Sequence, residues 1–126
     1  MNISGEVTTY LANTITLYAP ITQEIFIGEK PDEIMCKNDP ATFKETAYFD
    51  GSSIGVARFS YWAKSKNADK ARTQLEKILA VLDFPDLEIS DGLFIKCEPR
   101  TQVMFMYEVE GDFVYTCTIS LEFERN

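Results

Sequence analysis

Histidine is absent from the 126 residues of this chain. That removes the base of the usual nucleophilic triads and one of the commonest metal ligands. Cysteine is scarce. Cys36, Cys97 and Cys117 are widely separated, odd in number and form no CxxC pair, so no zinc site is expected. The three read as reduced core thiols, because free cysteine packs as a small hydrophobe. No apolar run approaches the roughly 20 residues that span a bilayer, so no membrane partner is expected. The N-terminus has neither the basic n-region nor the apolar h-region of a signal peptide, which makes the cytoplasm the expected compartment. Positive charge is short too: 12 Lys and Arg stand against 20 Asp and Glu, a formal net charge of −8. A general nucleic-acid binder needs a basic face to displace counterions from phosphate, so no such partner is expected.

What the chain does have is apolar material. At 45% hydrophobic and 13% aromatic residues it can build a packed core. Its length suits a single domain, 1–126, that buries roughly two-thirds of its unfolded surface. The stretch Asn67 to Leu82 organises the rest. Ala68, Ala71, Leu75, Ile78, Leu79 and Leu82 recur at helical spacing, while Lys70, Arg72, Glu76 and Lys77 lie off that stripe. Asn67 suits the N-cap and Asp69 the first turn, and Asp83 with Pro85 stops the helix. Upstream, Ile54 to Ala63 is rich in β-branched and aromatic residues and predicts a strand. The last stretch, Phe113 to Glu124, alternates most cleanly. Phe113, Tyr115, Cys117, Ile119, Leu121 and Phe123 form an apolar face, against Val114, Thr116, Thr118, Ser120, Glu122 and Glu124. The expected fold is α+β: a mostly antiparallel sheet with two α-helices packed mainly on one face.

Elsewhere the signals are shorter. Ile3 to Tyr18 predicts the other helix through Val7, Tyr10, Leu11, Thr14 and Tyr18, capped by Ser4 or Asn2 and ended by Pro20. Glu24 to Gly28 and Glu33 to Lys37 predict short strands. Between Asn38 and Ser53, Asn38-Asp39-Pro40 and Asp50-Gly51-Ser52-Ser53 are turn signals in a loop whose Phe43, Tyr48 and Phe49 suit packing. Leu87 to Ser90 and Leu93 to Glu98 predict a hairpin about Asp91-Gly92. Pro99 then interrupts pairing, and Val103 to Val109 pairs with the last strand around Glu110-Gly111-Asp112.

Recognisable chemistry is lacking. Glu108 and Glu110 could be a carboxylate pair by spacing, but at a strand end such residues are ordinarily solvated charges. Gly51 to Gly55 lacks the Lys-Ser/Thr of a phosphate loop and precedes a strand. The aspartates at 32, 39, 50 and 112 lack the alternation of a calcium loop. The segment Val103-Met104-Phe105-Met106-Tyr107 is apolar on both strand faces. Two readings stay open for it: a central strand covered on both sides, or a face that meets another chain, since methionine and aromatics are enriched in interface cores. Trp62 poses the same choice. If Ala57, Phe59 and Tyr61 face the helix, then Val56, Arg58 and Trp62 face away. A partner interface at Trp62, Val103, Met104, Phe105, Met106 and Tyr107 is the expectation carried forward.

The order of parts is similar to a known family. An N-terminal helix is followed by IFIGEKPDE, the strand GVARFSYWAKS, the helix KARTQLEKIL, a short strand pair and the closing YTCTISLEFER. In this order the chain resembles the tail terminator proteins of long-tailed bacteriophages of Gram-positive bacteria, a group often labelled minor capsid proteins. Phe59, Tyr61, Ala71, Leu75, Ile78, Tyr115, Phe123 and Glu124 occupy matching places. Cys36 to Ser53 departs from the pattern, lacking its Gly-Gly-Pro-like turn. The resemblance implies a non-enzymatic virion protein without cofactors, located at the tail–neck junction. It implies a six-membered ring on the head-proximal end of the tail tube, ending polymerisation and joining the head. Its partners would be copies of itself, the tail tube protein and the head-completion (stopper) protein. Another neck or tail-completion protein is the nearest alternative. More distant ones are an acidic immunity or anti-defence module, whose carboxylates the lysines and arginines from 58 to 77 would interrupt, and a small enzyme.

Overall fold

A computed structural model describes residues 3–26, 28, 32–39, 44–47, 53–83, 85–89 and 92–125. Two long strands, β4 (Ser53–Ser65) and β7 (Asp112–Arg125), form its spine, paired antiparallel from Ser53 opposite Arg125 to Ser65 opposite Phe113. Each spine strand carries two shorter strands end to end on its outer edge. Along β4 run β2 (Glu33–Asn38) and β3 (Lys44–Ala47); along β7 run β5 (Leu93–Pro99) and β6 (Met104–Val109). A three-residue β1 (Ile21–Gln23) adds to β2 as the one parallel pair among the described residues. The expected α+β class with a mostly antiparallel sheet is what forms.

Helix α2 (Ala68–Asp83) follows β4 directly. Ser65 Oγ accepts from the Asn67 N–H, and Asn67 Oδ1 accepts from the Lys70 N–H at 3.3 Å, so Asn67 caps the helix as its sequence position predicts. Because β4 and β5 are both antiparallel to β7, they run parallel to each other, and α2 carries the chain across β7 between them. Ala71, Leu75, Ile78 and Leu82 of α2 meet Phe59, Tyr61 and Ala63 of β4 and Cys117, Ile119, Leu121 and Phe123 of β7 in one core. Strand alternation puts all of these sheet residues on a single face. Helix α1 (Ile3–Thr14) closes the core with Ile3, Val7 and Leu11. Phe59 and Tyr61 meet edge to face at 5.8 Å. Gly55 lies opposite Phe123, whose ring occupies the space a Cβ would need.

Several sequence expectations need correction. The first helix ends at Thr14 instead of reaching Tyr18. Thr14 donates its hydroxyl to the Tyr10 carbonyl, and the run Thr14-Ile15-Thr16 is β-branched, which weakens helix continuation. Ser4 lies buried inside the helix, so it is not the cap, and Asn2 lies outside the described residues. Glu24, Ile25, Phe26 and Gly28 are not strand, and Ile27 lies outside the described residues. The strand precedes them, at Ile21–Gln23, and Glu24 takes a left-handed φ of 72° that ends the extension. Leu87 to Ile89 form no strand, so the expected hairpin lacks its first arm among the described residues; Ser90 and Asp91 lie outside them. Leu87 and Ile89 are buried in irregular chain, while β5 pairs with β7. The 38–53 region contains β3, which turn signals had masked; Phe43, Tyr48 and Phe49 lie outside the described residues. The final hairpin is as expected, with φ positive at both Glu110 and Gly111, the geometry of a two-residue type I′ turn.

Candidate functional site

Strand β6 sits at the sheet's edge, paired with β7 alone among the described residues. That rules out the covered central strand. All six of its residues are exposed. Met104, Phe105, Met106, Tyr107 and Val109 each leave between 41% and 53% of their surface in water. Met104 stands opposite Thr116, Phe105 opposite Tyr115 and Tyr107 opposite Val114, so the register shifts at Met106. The bulge therefore breaks simple alternation. Phe105 shares the helix-bearing face with Tyr115, their rings edge to face at 5.5 Å, while Met104 and Tyr107 share the opposite face. Apolar surface on both faces of a solvent-facing edge is the arrangement that folded proteins ordinarily blunt.

Strand β5, on the same side of β7, shows that blunting. A register shift between Phe94 and Lys96, the ion pair of Lys96 Nζ with Glu98 Oε1 at 3.0 Å, and the terminal Pro99 all discourage strand addition. Leu93 and Ile95 are still exposed there and extend the apolar edge. These two and Val109 belong with the candidate residues that sequence reasoning named, and it missed them. Ile95 was recoverable as an apolar residue beside a strand-edge Lys-x-x-Pro; Leu93 and Val109 carried no signal of their own.

The other named residues fall nearby. Val103 is half-buried and packs against the core margin. Trp62 is half-buried on the face opposite the helices, opposite Thr116 and so one strand removed from Met104; its Nε1 donates to Ser60 Oγ at 2.8 Å. With Lys37, Asn38, Ser60 and Thr118 it borders a shallow hollow of about 250 Å³. The structure thus brings Met104, Phe105, Met106 and Tyr107 together, puts Val103 at their start, and sets Trp62 in the same row across β7.

At the far end of β4, Phe26 and Gly28 approach Lys64 and Glu33 on the helix-free face. Lys64 Nζ pairs with Glu33 Oε2 at 2.5 Å and lies 5.2 Å from the centre of the Phe26 ring, and the Gly28 N–H donates to the same carboxylate. On the helix side, Lys70 and Ser65 both donate to Asp32, which holds its carboxyl below the usual range. Tyr18 ties the two sides, donating its hydroxyl to the carbonyl oxygens of Glu33 and Lys64; burial raises its pKa. Sequence reading missed this cluster, since its members are spread from 18 to 70. Every polar group in it has a partner in the fold, which reads as structural clamping.

The three cysteines are buried and free. Burial pushes the Cys36 thiol up to about 11 and those of Cys97 and Cys117 to about 12, so they are neutral thiols near pH 7. Cys36, Tyr61 and Cys117 share one row across three strands, and Tyr61 exchanges a 3.1 Å hydrogen bond with Thr8. Glu108 is exposed on β6 and Glu110 lies in the hairpin turn. Among the described residues no cluster of three or more Cys, Asp or Glu has metal-site geometry, and no helix is long and apolar enough to cross a membrane.

The two helices on one face of a mostly antiparallel sheet define an α+β domain with an exposed apolar edge strand, β6. No protein-family model matches the chain, and no curated protein matches it by sequence. Its fold is similar to that of a chain in a solved structure described as the virion of a native gene transfer agent particle. The TM-score is 0.74, covering 97% of this chain and 94% of that one at 12% identity. At that identity the likeness is one of fold.

Proposed function

We propose that this protein is a structural component of a phage-like particle, and that it caps the head-proximal end of the tail tube as a six-membered ring. The observation that carries the reading is the end-to-end match in fold to a virion chain, with nearly all of both chains superimposed. The sequence order from the first helix to YTCTISLEFER narrows it to a tail terminator. The apolar edge at β6 supports assembly as the mode of action, since that surface has no cover within the chain's described residues. On this reading the protein works by binding alone. Its ring ends tube polymerisation and presents a surface to the head-completion (stopper) protein, and its place is the tail–neck junction.

The test is direct. Purified protein is mixed with tail tubes of the cognate particle and imaged by negative stain. The reading expects rings on one end of each tube and tubes that no longer elongate when more tube protein is added. Bare, still-growing tubes at saturating protein would overturn it.

A further inference from the structure

The exposed large hydrophobic residues are not scattered. Among the described residues seven of the eight lie between Leu93 and Val109, on the β5–β6 side of the sheet; the eighth, Ile25, lies just past β1, at the opposite side. The pairing registers add a second fact. Reading across the sheet, Ile21, Ile34, Ala63, Tyr115 and Phe105 form one row, and Thr22, Met35, Trp62, Thr116 and Met104 form the next. Strands β1 and β6 therefore stand at the same height on opposite ends of one sheet. Following strand directions from β6 through β7, β4 and β2, β1 runs antiparallel to β6.

From this geometry we infer that the outer edge of β6 pairs with the outer edge of β1 of a second copy of this chain. The contact is antiparallel and repeats head to tail. It deepens the reading proposed above, on which it rests for closure into a ring. Copies related by rotation about an axis along the strands keep their strand direction, so the two edges meet level and antiparallel without an axial step. Each row then continues across the junction. Phe105 meets Ile21 of the next copy on the helix side, and Met104 meets Thr22 on the other. Each free edge is satisfied by the other.

Two considerations favour this occupant over a twofold pairing of β6 with itself. In a self-paired β6, the antiparallel registers that pair the strand Met104–Val109 along most of its length place the Glu108 carboxylate opposite Phe105 or Met104, desolvating a charge without a partner. It would also leave the β1 edge open. The five large apolar side chains of β6, each about half exposed, contribute roughly 400 Å² of apolar surface to this edge, about half the ~800 Å² per partner of a standard interface.

Cross-linking tests the contact in the full chain, at high concentration and without tubes. Directly opposed antiparallel residues have Cα atoms about 4.5–5.5 Å apart, within disulfide reach. The double variant Thr22→Cys, Met104→Cys should form a ladder of disulfide-linked species on mild oxidation. A mixture of the two single variants should stop at dimers, and each single variant alone should stay monomeric. Circular dichroism and the thermal midpoint of the reduced double variant check its fold. Adding Phe105→Lys, at an exposed position, should cut the ladder at least tenfold without moving that midpoint. No ladder from the folded double variant, or a dimer from Met104→Cys alone, overturns the proposal; the second outcome identifies a twofold contact instead. A ladder with no tube capping would uphold the contact and remove the tail-terminator reading, whereas capping with no ladder would do the reverse.

Discussion

Strands β6 and β7 are the two arms of one hairpin, yet they obey opposite rules. β7 alternates strictly, and its apolar side chains Cys117, Ile119, Leu121 and Phe123 are wholly buried beneath α2. Even Val114 and Thr116 on its other face are covered. β6 has a similar density of large apolar residues, but all six of its positions are exposed, a bulge at Met106 divides them between both faces, and its outer edge has no strand beside it among the described residues. The difference separates apolar residues that make the fold from those that, on the proposed reading, serve a partner. Periodic apolar residues on a central strand are spent within the chain. Aperiodic ones on an edge strand have nothing of their own to bury against.

The largest effect should come from β7. Phe123→Ala, which removes a fully buried ring from above Gly55, is expected to cost about 3–5 kcal/mol, and Ile119→Ala about 2–5 kcal/mol. Urea unfolding would show both; midpoints close to the parent's would mean β7 is not the core strand described. Next comes the clamp at the far end of β4. Lys64→Ala removes the cation that pairs with the buried Glu33 carboxylate, and should cost about 3 kcal/mol. The same unfolding curves would check it, and Glu33→Gln with Lys64→Met should recover part of the loss.

A gentler perturbation is alkaline pH. The thiols of Cys36, Cys97 and Cys117 are raised from 9.0 to about 11, 12 and 12, so the unfolded chain gives up these protons before the folded one. Their contribution is complete below about pH 9 and is lost as pH rises toward 11–12, at ~1.4 kcal/mol per thiol per pH unit. Stability measured at pH 8 and pH 10.5 should fall accordingly, and a flat profile in that window would contradict the burial of these side chains. The smallest effect belongs to β6. Met106→Ser and Val109→Ser should each change stability by no more than about 0.5 kcal/mol, as at other exposed positions. A loss of several kcal/mol at either would show that β6 is packed after all.

The sequence is legible where one physical signal dominates. Period 3.6 and an Asn cap locate α2 to within a residue, and strict alternation locates β7. The Glu110-Gly111 turn follows from the need for positive φ at both positions. It is illegible where tertiary pairing overrides local pattern. Leu87 and Ile89 look like a strand because they are apolar and alternate, but they bury as irregular chain beneath the sheet. The apolar run at β6 reads equally as a buried strand or an exposed one, because composition does not say which edge of a sheet a strand occupies. Trp62 was placed on the correct face by counting from Phe59 and Tyr61, while the row linking it through Thr116 to Met104 required the register. The clamp of Tyr18, Asp32, Glu33, Lys64 and Lys70 joins residues up to 52 positions apart, beyond any local pattern.

The central claim is that β6 is a docking edge whose apolar residues serve assembly and not folding. The double variant Met104→Asp, Met106→Asp tests it most directly. It changes two exposed side chains and leaves the buried face of β7 intact. One experiment would record its thermal midpoint together with its capping of tail tubes by negative stain. The account predicts a midpoint within a few degrees of the parent and tubes left without rings. A folded variant that still caps tubes at normal length would contradict it.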